Sequence, residues 1–328
     1  MAVFADFLYA FNAVSPIFVV AFVGYILKNK GFLTDGFIKV ADKLVFRVML
    51  PCLLFTNVAY IDISSVSGND LKLMLFCVVA AILFTVVMCF AVPVFVKDRA
   101  KTGAFVQGIF RSNVAFLGIP FAINLFGSEG GRIASMVLAV IVPVYNVLAV
   151  SVLCIFNPQK EHDADGIGKR IKNILAGIVK NPLIISIVIA LPFALFGVSD
   201  YIPDFVKGSI EYFSKASTTL ALITIGASFS LSELKGRIGL AAVATVIKTV
   251  LLPLAFMTFT YNILSFSGVH LGIILIVFGT PTAISSYIMA KNMHADASLA
   301  NQIVLLSTLC SMFTIFLFSF VMRSMGLV

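Results

Sequence analysis

Apolar stretches of about 20 residues alternate along this chain with short polar breaks. Each stretch is long enough for a helix to cross a hydrocarbon layer of roughly 30 Å, and far longer than the ~10 residues of a barrel strand. The pattern predicts ten helical spans, at 8–28, 40–61, 71–96, 103–126, 132–156, 181–198, 205–230, 238–264, 268–292 and 297–325. One span departs from the pattern. Between Phe110 and Pro120 it holds a cation (Arg111), a hydroxyl (Ser112), an amide (Asn113), a glycine (Gly118) and a helix-breaking proline. Lipid offers no water to a carbonyl freed by proline, so such a break belongs where it is buried in protein or lines a wet cavity.

Basic residues set the orientation. Loops after the odd-numbered spans hold Lys28, Lys30, Lys39 and Lys43, then Lys97, Arg99 and Lys101, then Lys160, Lys169, Arg170, Lys172 and Lys180, then Lys235 and Arg237, then Lys291. The opposite side holds Lys72, Arg132, Lys207 and Arg323. Positively charged loops stay in the cytoplasm, which places both termini outside a multi-pass plasma-membrane protein. The first 30 residues lack a cleavable signal with a basic start, so the first apolar segment is expected to remain as a span.

Composition agrees. The chain of 328 residues is 60% hydrophobic and 12% charged, where soluble domains carry about 25% charged residues. Its formal net charge of +8 reads as loop topology rather than nucleic-acid binding, because the basic residues sit in short loops between spans. The five cysteines lie in apolar runs without paired spacing and read as small core residues.

Polar residues concentrate between Asn157 and Lys172, which divides the chain into a first five-helix repeat (1–156), a cytoplasmic linker (157–180) and a second repeat (181–328). Gly168 to Lys180 reads as a basic amphipathic segment on the inner membrane surface. Five spans per half, starting on opposite sides, make an inverted repeat. The expected fold class is therefore an all-α membrane protein with ten transmembrane helices. A shift of 166 residues superposes Pro16 on Pro182 and Gly31 on Gly197, and sets Pro120 over Ser286.

Spans 4 and 9 occupy corresponding places in the two halves. Span 9 carries Gly279, Thr280, Pro281, Ser285 and Ser286, as span 4 carries Ser112, Asn113, Gly118 and Pro120. Matched interrupted helices point to a binding site, since a half-helix starting at mid-membrane aims unpaired N–H groups and a positive dipole end at its contents. Those nine residues are the substrate-binding candidates. The competing interpretation is two proline kinks lined with small residues for packing.

Supporting candidates are Arg111, Asn146, Lys248, Glu211 and Lys215. Arg111 either draws anions into a vestibule or snorkels. Lys248, near the centre of span 8, either lowers the barrier to an anion or bonds loosened backbone at the crossing. Glu211 and Lys215 share a helix face and read as a neutralising pair or part of a proton path. Ser214, Ser217, Thr218 and Thr219 line the pathway or simply pack. Asn301 and Gln302 join Asn146 as groups expected behind the crossing. His162, His270 and His294 show no metal-ligand spacing and no nucleotide loop is present, so neither metal nor other cofactor is expected. The spans also lack the residue pairings of an intramembrane enzyme.

Five pieces carry a resemblance to a known family. They are Pro16 to Gly31, Val48 to Phe55 with Pro51, Asn113 followed by Phe116 to Pro120, Leu220 to Ser228, and Lys248 five residues before Pro253. In this order the chain resembles the auxin efflux carrier family, which includes plant auxin exporters and bacterial malate or malonate permeases. The resemblance covers nearly the whole chain. It implies scaffold helices 1, 2, 6 and 7 that dimerise, a transport domain of helices 3–5 and 8–10, broken helices 4 and 9 that cross, carboxylate binding there and elevator-like motion. Asn113 and Pro120 match the crossover pattern, whereas the second crossover proline falls on Ser286, with Pro281 close by. The expected function is a secondary carrier of a small organic anion, driven by proton or substrate gradients. The alternative is a passive anion channel or a membrane sensor of the same fold.

Overall fold

The computed structural model describes residues 2–60, 66–158, 182–228 and 238–328. Among them the chain is helical throughout, apart from one isolated antiparallel bridge between Ser112 and Thr282. The helices are α1 (Ala2–Asn29), α2 (Asp35–Leu44), α3 (Leu50–Ala59), α4 (Gly68–Phe95), α5 (Arg99–Phe110), α6 (Ile119–Ile155), α7 (Pro182–Phe196), α8 (Asp204–Ala227), α9 (Gly239–Val246), α10 (Leu252–Leu264), α11 (Gly268–Gly279), α12 (Ser285–Asn292) and α13 (Ala297–Ser324). Helix occupies each of the ten stretches expected to be apolar spans. The linker from Gln159 onward, the segment Gly168 to Lys180, His162, Lys235 and Arg237 lie outside the described residues.

Among the described residues five helical segments are long and apolar enough to cross a membrane: Ala10–Asn29, Gly68–Phe95, Val114–Ile155, Gly239–Leu264 and Ala297–Ser324. Their outward faces keep large apolar side chains uncovered, among them Phe90, Val94, Leu251 and Phe313. In water such an apolar surface would be a liability, and hydrocarbon is its natural solvent. The protein is thus an all-α, multi-pass membrane protein.

Val114–Ile155 does not run straight. Gly127 adopts φ 64° and ψ −149°, a conformation open essentially to glycine alone. The chain doubles back there, and Gly130 lies so close to Ala122 that an added Cβ would fall 2.3 Å from the Ala122 carbonyl oxygen.

Three short π turns have one cause. Val45–Met49, Val114–Gly118 and Ile247–Leu251 each precede a helix whose second residue is proline: Pro51, Pro120 and Pro253. A proline ring clashes with the carbonyl four residues back. Widening that turn gives the carbonyl room, and the residue ahead of the proline bonds five residues back, as Ile119 N–H does to the Val114 carbonyl. Proline is therefore absorbed inside a nearly continuous helix. The expectation that Pro120 breaks span 4 is corrected accordingly: the chain leaves the helix earlier, at Arg111, whose backbone is extended.

Helices α1, α3, α7 and α8 pack on one another, and α4, α6, α9, α10, α11 and α13 make up most of the remaining contacts. Edge-on rings of Phe76, Phe256 and Phe278 join α4, α10 and α11, the closest pair having centroids 4.4 Å apart. Buried Asp70 completes a capping box with Ser67 at the start of α4. The same carboxylate pairs with Arg132 of α6, just beyond its Gly127 kink, at 3.4 Å and with His270 at the start of α11 at 2.7 Å, so three helices share one anion.

The broadest contact is α1 against α8, backbone on backbone. A Cβ on Gly226 would fall 1.6 Å from the Ala21 carbonyl oxygen, and one on Gly24 would fall 2.1 Å from that of Ile223. By contrast, an added Cβ on Gly208 of the same α8 would meet nothing within 4 Å. Gly226→Ala is expected to destabilise the purified protein by about 1–3 kcal/mol, since the helices must part. Gly208→Ala should be neutral or stabilising by up to about 1 kcal/mol. Thermal unfolding of both variants in detergent checks this, and equal melting temperatures would refute the contact.

Candidate functional site

Two breaks meet at the centre of the protein. The first arm leaves α5 at Phe110, runs extended through Arg111 and Ser112, and re-enters helix at Val114. The second leaves α11 at Gly279, runs through Thr280 to Ala283, and re-enters helix at α12. Asn113 N–H donates to the Pro281 carbonyl at 2.8 Å, and Ala283 N–H donates to the Arg111 carbonyl at 3.1 Å. The exchange is reciprocal about the Ser112–Thr282 bridge, so the arms register at an offset of 170 rather than the 166 suggested by the prolines and glycines. The second break is a full one: Pro281 lies within it, and Ser286 follows inside α12.

The breaks leave two carbonyl ends and two amide ends without intrahelical partners. Side chains meet the carbonyl ends. Thr282 Oγ1 donates to the Gly108 carbonyl of α5 at 2.7 Å, while its N–H is held by Ser307 Oγ at 3.0 Å. Lys248 Nζ donates to the Phe278 carbonyl of α11 at 3.0 Å and to Ser112 Oγ. Of the two roles considered for Lys248, this is the bonding of loosened backbone.

The amide ends face a cavity of about 420 Å³. Ala115 and Phe116 of the first arm and Ala283, Ile284 and Ser285 of the second line it. Ser112, Asn113, Arg111, Tyr145 and Asn146 complete its inner wall, and Asp42, Lys43 and Arg47 stand toward α2. Arg111 is 8% exposed. Its guanidinium donates to Asn146 Oδ1 at 2.8 Å and to Met289 Sδ, and no carboxylate among the described residues lies within ion-pair distance. Asn113 is 6% exposed, and its side chain has no protein partner among the described residues. Among the described residues, a buried cation without an ion-pair partner and a buried amide without a protein partner thus line one cavity.

The other expected residues divide clearly. Ser112, Asn113 and Ser285 line the cavity, as do Arg111 and Asn146. Gly118, Pro120, Gly279, Thr280, Pro281 and Ser286 are buried behind it in the two arms. Glu211 and Lys215 pair at 2.7 Å on an exposed face of α8, outside the cavity wall. Ser217 Oγ donates to the Ser214 carbonyl, which is a packing role. Gln302 is buried in α13. Tyr145 went unnoticed in the sequence, although it precedes Asn146 and lines the cavity, its hydroxyl donating to the Val277 carbonyl at 3.5 Å. So did the Asp70, Arg132 and His270 cluster, whose one sequence signal is the Ser67 to Asp70 capping spacing.

Apolar helices around a buried, polar, doubly interrupted crossing define a membrane protein built to pass solute. A family model described as membrane transport protein matches residues 9–319, and the chain belongs to that family, the auxin efflux carrier-like transporters. An uncharacterized transporter of Methanocaldococcus jannaschii is 23% identical over 315 residues, covering 95% of this chain and 98% of the relative. An uncharacterized transporter of Methanothermobacter thermautotrophicus is 25% identical over 313 residues, with the same coverage of 95% and 98%. The family is one of membrane transporters rather than enzymes.

Thr282 tests the crossing itself. Thr282→Val removes the donor to the Gly108 carbonyl and is expected to cost about 1–3 kcal/mol, because that carbonyl is buried. Thr282→Ser should recover most of the loss. Thermal unfolding of the two variants measures it, and a silent valine would contradict the assigned bond.

Proposed function

We propose that the protein is a secondary carrier of a small organic carboxylate anion, working by alternating access. The observation that carries this reading is Arg111, a buried guanidinium on the cavity wall with no carboxylate within ion-pair distance among the described residues, Asp42 standing elsewhere on the same wall. A carboxylate ligand would supply the missing charge, and a bidentate arginine contact would orient it. Asn113 would donate its free amide, and the two helix starts would add about half a positive charge each.

The same reading orders the fold. Ten spans form two inverted five-helix repeats, at 1–156 and 181–328, joined by the linker 157–180. The reciprocal exchange of bonds at the crossing supports a two-fold relation between the halves. Helices α1 to α3, α7 and α8 form the scaffold, through which two copies dimerise, and the remaining helices form the moving domain. The cavity wall draws on both groups: Asp42, Lys43, Phe46, Arg47 and Leu183 from one, and the two broken arms from the other. Sliding one group past the other would carry an anion across the plasma membrane in an elevator-like step. With the odd-numbered loops cytoplasmic and both termini outside, Lys43 and Arg47 mark the inner mouth, where they would attract anions.

Two variants test the site. Asn113→Ala is expected to abolish counterflow of the transported carboxylate in proteoliposomes while the protein still inserts and purifies; unchanged transport sinks the assignment. Asn146→Asp gives Arg111 an internal counter-ion. It should weaken anion binding roughly tenfold or more, about 1.4 kcal/mol, at an unchanged or higher melting temperature. Saturable counterflow supports a carrier, whereas an ohmic anion current would replace it with a channel.

A further inference from the structure

The two faces of the crossing have opposite electrostatic character. Amide ends face the cavity, and on the other side the carbonyl end of α11 is bonded by Lys248 and that of α5 by Thr282. Lys248 is fully buried, in the π turn Ile247–Leu251, which touches both α5 and α11. Helices α5, α9, α10, α11 and α13 pack around that turn, and none contains an aspartate or glutamate. Their ionisable groups are Arg99 and Lys101 of α5, with Arg111 just beyond it, Tyr261 of α10, His270 of α11, and Cys310 and Arg323 of α13. Tyr145 of α6 lies nearby, its hydroxyl donating to the carbonyl of Val277, next to Phe278. Among these described neighbours the ammonium meets no carboxylate, and the one helix C-terminus it bonds, that of α11, is worth about half a negative charge. Each proton gained or lost at Nζ therefore changes the field of the crossing by a full charge.

Ser112 joins the two faces. Its hydroxyl accepts from Lys248 Nζ, and the same residue lines the cavity beside Asn113. The ammonium and a cavity anion thus lie on either side of one side chain, in surroundings that screen charge weakly. We propose that Lys248 is the coupling proton's binding site: anion binding and protonation of Nζ favour each other through Ser112. The step balances as one bulk proton joining the amine lone pair to give the ammonium, with its charge offset by the arriving carboxylate. Linkage makes the effect reciprocal, so protonation tightens anion binding by the factor by which the anion tightens protonation. The sign follows. Anion affinity is highest at low pH and falls by up to roughly tenfold per pH unit while Nζ titrates, then levels off.

The inference rests on the carboxylate reading of the cavity, and one experiment separates the two. Purified protein is titrated with acetate, lactate, malonate and malate by calorimetry, in buffers of differing ionisation enthalpy, across roughly pH 6 to 9. The expected result is binding with proton uptake, seen as a buffer-dependent enthalpy. Lys248→Arg, which keeps the charge but exchanges no proton, should bind with a buffer-independent enthalpy and a flat pH profile. Lys248→Met should be equally flat and roughly tenfold weaker. Wild-type binding without proton uptake overturns this inference and leaves the carboxylate reading standing, with no variant needed. Proton uptake that persists in either variant also overturns it, by placing the proton elsewhere. No binding by any of the four acids overturns both.

Discussion

Two backbone hydrogen bonds hold the crossing together: Asn113 N–H to the Pro281 carbonyl, and Ala283 N–H to the Arg111 carbonyl. Without them, six residues of extended chain would sit in a low-dielectric interior with their polar groups unpaired, at a cost of several kcal/mol per group. Everything polar near the centre follows from that one exchange. It forces both chains out of helix at the same place, which in turn creates two amide ends and two carbonyl ends. The protein answers the carbonyl ends internally, with Thr282 and Lys248, and leaves the amide ends open to a cavity.

The asymmetry has a plain physical reading. Carbonyl ends can be met by a threonine hydroxyl or a lysine, groups the chain can bury at fixed positions. Closing the amide ends would need a carboxylate or a hydroxyl cap, and neither arm provides one: the helix starts at Asn113 and Ile284 have no side-chain cap. Arg111 compounds the demand, since Asn146 satisfies its hydrogen bonding without cancelling its charge.

Much of this was legible in the sequence, and the reasons differ by element. Hydropathy located the apolar helical stretches, five of which among the described residues are long enough to cross a bilayer, because that thickness is a constraint read directly from run length. Arg111, Ser112 and Asn113 stood out because lipid penalises them. The position of the break did not follow from the same reasoning. Pro120 looks like the disruptive residue, but a π turn absorbs it, and the extended stretch depends on a partner strand 170 positions away. Nothing local to either arm reveals that pairing. Lys248 was legible as a buried cation but not as a bridge between breaks, because Ser112 and Phe278 meet it only in three dimensions. The Asp70, Arg132 and His270 cluster escaped for the same reason: its members lie on three different helices.

The π turns ahead of Pro51, Pro120 and Pro253 bear on how such a chain is read at all. Each holds one residue more than a regular turn, which is about 100° of helical phase. A hydrophobic face counted at constant pitch through Val45–Met49, Val114–Gly118 or Ile247–Leu251 therefore emerges rotated by more than a quarter circle. Phase has to be restarted at every such proline, with each half of the span treated as its own helix.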